Sequence, residues 1–155
     1  MIGGGRVGTR KALALFEAGA HVRVIAPQVS IELRDLSASN RRLTLERREY
    51  IGQDDLRDFE LVFAATDSRE LNASIAQDAR QLHRLVNVAS DGAEGSFTSM
   101  AVHREGRLTI GVSAGGVPVA AASIRNEIAK HFDGRYARMI EQLFVERMST
   151  DETSG

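Results

Sequence analysis

Apolar residues recur along the first ninety residues with a period that alternates between that of a helix and that of a strand. Leu13, Phe16 and Ala20 recur at helical spacing, and Gly19 is a typical helix-ending residue. The β-branched segment 21–26 follows and is ended by Pro27, which predicts a strand. A glycine-rich segment, a helix and a strand in this order form most of a βαβ unit, with its first strand nearly absent.

The remaining elements of this half follow the same alternation. Leu61–Ala65 and Leu85–Val88 are predominantly apolar, as expected of parallel strands that are buried on both faces. Glu70–Leu82 has an apolar helical face, while Ile31–Leu36 and Leu43–Arg48 indicate a short helix and a weak strand. Strands that alternate with helices predict an α/β fold with a Rossmann-like parallel sheet whose first strand is truncated.

The pattern changes after Asp91, where we place a domain boundary. Residues 1–91 are predicted to form a nucleotide-binding domain, residues 92–148 a small strand-hairpin part with C-terminal helices, and residues 149–155 a disordered polar tail. The hairpin strands and the two helices are predicted at Ser96–His103, Leu108–Ser113, Val119–Phe132 and Tyr136–Met148.

Composition limits the classes of function. The formal net charge of the 155 residues is -1, so no global field attracts the chain to nucleic acid or to an anionic membrane. The chain has no cysteine, which excludes disulfides, thiolate nucleophiles and cysteine-ligated metals, and its four histidines lack metal-ligand spacing, so no metal site is predicted. No apolar run approaches the roughly 20 residues that span a bilayer, and no signal peptide is recognisable, so we expect a cytoplasmic protein.

Gly3, Gly5 and Gly8 satisfy the pattern G-x-G-x-x-G in front of an amphipathic helix. In dinucleotide-binding loops the first glycine permits the tight turn, the second lets the backbone approach the pyrophosphate, and the third lets helix and strand pack closely. Backbone amides at the helix start then hold the negative charge. The alternative is a purely structural turn.

The acidic residue that usually follows the second strand and binds the adenosine ribose is absent. The strand ends in Ala26-Pro27-Gln28, where Gln28 either hydrogen-bonds a ribose hydroxyl or faces water. The motif therefore does not choose between NAD and NADP.

The glycine segment and its surroundings resemble a known family. Residues 3–11, Gly-Gly-Gly-Arg-Val-Gly-Thr-Arg-Lys, resemble the G-G-G-x-V-A-x-R-K segment of the precorrin-2 dehydrogenase domain of siroheme synthases. Further blocks fall in the family's order up to about Arg125, namely Val24-Ile25-Ala26-Pro27, Ala64-Ala65-Thr66-Asp67 followed by Asn72, Val86-Asn87-Val88, Ser96-Phe97 and Ser113-Ala114-Gly115-Gly116.

The resemblance implies an NAD-dependent oxidation of precorrin-2 to sirohydrochlorin by a homodimer whose middle section exchanges strands between subunits. Some members of the family also insert ferrous iron. The alternative is a non-catalytic dinucleotide- or tetrapyrrole-binding module that has diverged from this family. By position, the resemblance implies a set of cofactor-binding residues made of Gly3, Gly4, Gly5, Arg6, Val7, Pro27, Gln28, Thr66, Asp67 and Asn87.

The catalytic candidates implied by the resemblance are Ser90 and Asp91. Many relatives have an aspartate in the slot of Ser90, and the serine–aspartate pair resembles relatives that oxidise precorrin-2 without inserting iron. Asp91 is a candidate general base or metal ligand, and the alternative is that it only caps a turn. Ser113 and Arg125 are the candidate substrate-binding residues, with Arg125 pairing with a carboxylate of the tetrapyrrole. His103, on the predicted hairpin, is the histidine to examine near the pocket.

The nearly absent first strand is unexpected, because that strand is central in such a sheet and orients the glycine loop. Losing it would remove several buried apolar side chains at roughly 1.5–3 kcal/mol each. We expect that the native chain starts upstream of Met1.

Overall fold

Four short parallel strands form the main sheet of the computed structural model, which describes residues 1–132 and 134–152. They are β1 (Val22–Ile25), β2 (Leu43–Glu46), β3 (Leu61–Ala64) and β4 (Leu85–Val88). The pairs β1–β2 and β3–β4 are both parallel. The sequence predicted all four strands, each to within two residues at either end.

Ile2 joins the two strand pairs. It forms parallel bridges to Ile25 on β1 and to Ala64 on β3, and its amide donates to the carbonyl of Phe63 at 2.8 Å. The order across the sheet is therefore β2, β1, Ile2, β3, β4, with the truncated first strand in the centre. This is the order of a Rossmann-like sheet, as predicted. The direction in which successive strands are added across the sheet reverses between Ile2 and β3.

Three helices cover the two faces of this sheet: α1 (Arg6–Glu17), α2 (Ile31–Ser39) and α3 (Arg69–Gln81). One buried cluster joins Ala12 of α1 and Leu33 of α2 to Val24 of β1. A second cluster joins Ile75 and neighbouring alanines of α3 to β3, to β4 and to Ile25. Val24 and Ile25 belong to different clusters because successive strand residues point to opposite faces.

The chain divides into two compact units, Met1–Thr98 and the segment from Ser99 onward. In the second unit, β5 (Ala101–Glu105) and β6 (Leu108–Val112) form an antiparallel hairpin whose turn contains Gly106 with φ +56°. The helices α4 (Pro118–His131) and α5 (Gly134–Glu152) follow. The predicted hairpin and helices are thus present, and the predicted boundary at Asp91 lies within the first unit.

Two predicted stretches have a different structure. The segment from Ser96 to Met100 is not part of the hairpin strand, because Ser96 is bound to the free edge of β4. The Ser96 amide donates to the Val86 carbonyl at 2.7 Å, and the Val86 amide donates to Ser96 Oγ at 2.7 Å. The tail was predicted to be disordered from residue 149, but α5 continues to Glu152, since nothing breaks the helix there. Residues 153–155 of that tail lie outside the described residues.

Across residues 1–132 and 134–152, no helix combines the length and the apolar character that a membrane span requires.

Candidate functional site

The predicted cofactor-binding and catalytic residues of the first unit lie where parallel strands end. The carboxyl ends of parallel strands meet at one edge of a sheet, which is where ligands bind in open α/β folds. Gly3 to Val7 follow Ile2, Pro27 and Gln28 follow β1, Thr66 and Asp67 follow β3, and Ser90 and Asp91 follow β4.

The glycine loop is wedged between the segments that follow β1 and β3. A Cβ added to Gly4 would meet the carbonyl oxygen of Gln28, and a Cβ added to Gly3 would lie 2.9 Å from the amide nitrogen of Thr66. Gly3 also has φ +109°, a conformation that side chains rarely adopt. The structure therefore brings three of the predicted segments into direct contact.

The other two glycines of the motif differ in their surroundings. A Cβ on Gly8 would collide with the carbonyl group of Gly3, so α1 packs against the loop at backbone distance. A Cβ on Gly5 would meet nothing within 4 Å. Gly5 thus opens to an unfilled space, whereas Gly3 and Gly8 make the turn and the close packing that the motif requires.

Helix α1 begins at Arg6 with Gly5 as its N-cap, and no side chain caps its first turn. The first amides of a helix lack intrahelical acceptors, and the helix dipole adds a partial positive charge there. No acidic residue lies in this turn, and Arg6 and Val7 are exposed. This open, uncapped helix start fits the diphosphate of a dinucleotide.

Thr9 supports the glycine loop through its side-chain hydroxyl, a role that the sequence did not predict. Its buried hydroxyl lies 3.3 Å from the Gly4 carbonyl oxygen and 3.1 Å from Ser30 Oγ. Ser30 in turn caps α2 by accepting from the Leu33 amide at 3.3 Å. The loop is therefore tied to the segment after β1, where Pro27 and Gln28 are exposed.

Thr66 is held by the side-chain amide of Asn72, which is fully buried on α3. Asn72 Oδ1 accepts from the Thr66 amide at 3.0 Å and from the Thr66 hydroxyl at 2.8 Å. Asn72 Nδ2 donates to the Thr66 carbonyl at 3.1 Å. Asp67, the next residue, is exposed at the same edge.

Ser90 belongs to the same hydrogen-bonded group. Asn72 Nδ2 donates to Ser90 Oγ at 3.2 Å, so the segments that follow β3 and β4 are joined through one amide. Asp91 accepts from the Ala93 amide at 2.9 Å and lies 3.5 Å from a guanidinium nitrogen of Arg69. In this conformation the Asp91 carboxylate caps a turn, which was the alternative to its role as a base.

Asn87 is buried on β4 and is only partly satisfied. Its Nδ2 donates to the Phe97 carbonyl at 3.0 Å, whereas its Oδ1 has no hydrogen-bond partner among the described residues. The Phe97 ring stands edge-on to Phe63 at 5.5 Å, and the Lys11 ammonium lies 5.6 Å from the Phe63 ring centre. Burial, with a contribution from Arg10, lowers the pKa of Lys11. The unpartnered, buried Oδ1 of Asn87 costs folding free energy, and it fits a ligand that donates a hydrogen bond to it.

The two substrate-binding candidates lie in the second unit. Ser113 is exposed after β6. Arg125, on α4, donates from Nη1 to the Val102 carbonyl at 3.3 Å, and its buried Nε has no partner in the described part of the chain. His103 Nε2 lies 3.0 Å from the Phe132 carbonyl, an acceptor, so this histidine fastens the hairpin to the end of α4.

Comparison with known proteins agrees with this geometry. A family model described as putative NAD(P)-binding matches residues 1–101. The chain is 36% identical over 140 residues to the siroheme synthase of Chromobacterium violaceum, covering 90% of this chain and 29% of that protein. It is 28% identical over 145 residues to the precorrin-2 dehydrogenase of Priestia megaterium, covering 93% and 70%.

The solved structure of SirC, a precorrin-2 dehydrogenase, superimposes with a TM-score of 0.81 at 27% identity, covering 95% of this chain and 72% of that one. The chain spans about three-tenths of the length of the siroheme synthases that it matches.

Proposed function

We propose that this chain, which belongs to the putative NAD(P)-binding family, is an NAD-dependent dehydrogenase that oxidises precorrin-2 to sirohydrochlorin. The observation that carries the proposal is the open, uncapped start of α1 at Gly5, set between the segments that follow β1 and β3. The similarity to proteins named siroheme synthase and precorrin-2 dehydrogenase supplies the substrate.

The proposed cofactor contacts follow the edge of the sheet. Amides of Gly4 to Val7 would bind the diphosphate, and Pro27 with Gln28 would flank the adenosine. Thr66 and Asp67 would flank the other end of the dinucleotide. The unpartnered Oδ1 of Asn87 supports a further contact, because it can accept a hydrogen bond from a ligand amide. NAD, when bound, accepts the hydride.

The proton that leaves precorrin-2 must pass to a base or to water. Asp91 is the proposed base, and it would first have to leave its turn-capping bond to the Ala93 amide. Ser90 stands in the slot that many relatives fill with aspartate, so we propose dehydrogenation without iron insertion.

The second unit is proposed to contribute substrate binding and dimerisation. The buried, unpartnered Nε of Arg125 supports pairing with a substrate carboxylate, and Ser113 is the second candidate. A homodimer is supported by large apolar side chains that α5 leaves exposed, because such patches mark interaction surfaces. These side chains are Tyr136, Met139, Leu143, Phe144, Val145 and Met148. A cytoplasmic location completes the proposal.

The decisive experiment follows absorbance at 340 nm when the protein meets NAD and precorrin-2 under anaerobic conditions. The proposed function predicts a rise that depends on protein and saturates with both ligands. The alternative, a non-catalytic binding module, predicts saturable tetrapyrrole or dinucleotide binding by calorimetry without any rise. Absence of dinucleotide binding would refute the proposed function, and absence of both dinucleotide and tetrapyrrole binding would refute the alternative as well.

A further inference from the structure

The side-chain amide of Asn72 uses its full hydrogen-bonding capacity inside the first unit. Its oxygen accepts twice from Thr66, and its nitrogen donates once to the Thr66 carbonyl and once to Ser90 Oγ. The residue is fully buried on α3, beside the apolar positions Ile75 and Ala76. A polar side chain in such a place needs all of its partners.

The orientation of this amide is dictated by the backbone of Thr66. The Thr66 amide can only donate and the Thr66 carbonyl can only accept, and the two lie 3.0 Å and 3.1 Å from Asn72 Oδ1 and Nδ2. A flipped amide would place NH2 against N–H and oxygen against oxygen. The group that faces Ser90 is therefore the NH2, which has no acceptor capacity.

The orientation of the Asn72 amide determines which way the Ser90 hydroxyl can donate. Because Nδ2 donates to Ser90 Oγ at 3.2 Å, the hydroxyl proton of Ser90 must point away from Asn72. Ser90 is exposed at the end of β4, and no acceptor for its proton occurs among the hydrogen bonds of the described residues. The hydroxyl proton is therefore available to donate to a group outside the hydrogen-bonded set formed by Thr66, Asn72 and Ser90.

We propose that Asn72 is a positioning residue that fixes Ser90 as a hydrogen-bond donor to a carboxylate of the tetrapyrrole substrate. The same amide fixes the distance between Ser90 and Thr66, the residue that would flank the dinucleotide. Ser90 therefore binds and orients the substrate and does not take its proton. This inference rests on the proposed function, since the carboxylate belongs to that substrate.

The test uses the full chain with NAD and three variants. Ser90→Ala removes the donor and Ser90→Thr keeps it. Asn72→Asp keeps the acceptor for the Thr66 amide but presents oxygen to Ser90, which reverses the hydroxyl, and also to the Thr66 carbonyl, so its NAD affinity and melting temperature are measured beside its KM. We expect Ser90→Ala and Asn72→Asp each to raise the KM for precorrin-2 about tenfold and to weaken sirohydrochlorin binding equally. Ser90→Thr should stay within about threefold of the native protein, and the affinity for NAD should not change in Ser90→Ala.

The double variant Asn72→Asp with Ser90→Ala separates positioning from a structural role. If Asn72 acts through Ser90, the double variant has the KM of either single variant. A purely structural role of Asn72 predicts a lower melting temperature in Asn72→Asp, an unchanged KM in Ser90→Ala, and effects of the two substitutions that add in the double variant. This result would overturn the inference. A native protein that forms no NADH, in contrast, overturns the proposed function itself.

A second measurement does not depend on the folding of Asn72→Asp. In the ¹⁵N-labelled native protein, the two side-chain amide protons of Asn72 should exchange slowly. Ser90→Ala should shift the proton that faces Ser90 and leave the one that faces Thr66 in place. If both protons exchange rapidly, or neither shifts, the proposed contact does not exist in solution.

Discussion

The Cα of Gly8 faces the carbonyl group of Gly3 at a distance that leaves no space for a side chain. A Cβ at this position would also lie 2.9 Å from the Gly3 carbonyl carbon, which is backbone and cannot rotate away. Gly8→Ala should therefore force α1 away from the loop and lower the free energy of unfolding by about 1–3 kcal/mol. Urea unfolding monitored by circular dichroism measures this change, and an unchanged midpoint would contradict the packing described.

Gly5 offers the opposite case, because a Cβ there meets nothing within 4 Å and its φ of −74° suits any residue. Gly5→Ala should change the free energy of unfolding by no more than about 1 kcal/mol. Its methyl group would occupy the space next to the α1 amides and weaken NAD binding about tenfold, or about 1.4 kcal/mol. Calorimetric titration measures the affinity. Gly134→Ala, a glycine replacement in the second unit, is the matched control and should bind NAD like the native protein.

Asp55 is buried and accepts from Arg48 Nη1 at 2.9 Å and from the Ile51 amide at 3.0 Å. The Arg48 hydrogen bond, ahead of the Ile51 amide, holds the pKa of the Asp55 carboxyl below its ordinary value. The ionised carboxylate therefore contributes stability above about pH 4, and this contribution disappears as the pH falls through the lowered pKa.

Asp55→Asn should reduce the free energy of unfolding at pH 7 by about 1.5–3 kcal/mol. The difference from the native protein should shrink at the acid end, where the native carboxyl is protonated as well. Urea unfolding between pH 2 and pH 7 tests this profile. Asp54→Asn is the control, because the Asp54–Arg57 ion pair is mostly exposed and should contribute little at any pH. A pH-independent difference would argue against the ion pair as the cause.

The proposed dimer gives a prediction on α5, where the Leu143 side chain is 57% exposed. Leu143→Glu should convert the dimer to a monomer, because a charge would be buried without a partner in an apolar interface. Light scattering coupled to size-exclusion chromatography measures the mass. Gln142→Glu adds the same charge at the neighbouring position and should leave the dimer intact. A native protein that is already monomeric at micromolar concentration would remove the basis of the proposal.

Much of the first unit was predictable because its strands are short, buried and bounded by turn residues. Leu85–Val88 was placed without error, since it is predominantly apolar and lies between the helix α3 and a polar loop. The stretch from Ser96 to Met100 was wrongly predicted to be part of the first hairpin strand, which begins only at Ala101. Its actual structure depends on Val86, ten residues earlier in the chain, and local periodicity does not report such contacts.

The site was predictable where a single residue type carries the geometry, as at Gly3 and Gly8. It was not predictable where three distant segments meet, as they do at Asn72. One signal was available: Asn72 lies at helical spacing from Ile75, Ala76 and Ala79, so it is a polar residue within an apolar face. The hydrogen bond from the Ala93 amide to the Asp91 carboxylate was not predictable either, because no sequence pattern supplies the position of that amide.

Ser96 also has a consequence for how this protein behaves in a crowded solution. An outermost strand normally offers unpaired amide and carbonyl groups on which strands of other molecules can assemble. The hydroxyl and amide of Ser96 occupy those groups at Val86 on β4. The serine thus protects the edge of β4 against aggregation. Its removal would expose unpaired backbone groups of β4 to strands of other molecules, even while the protein remains folded.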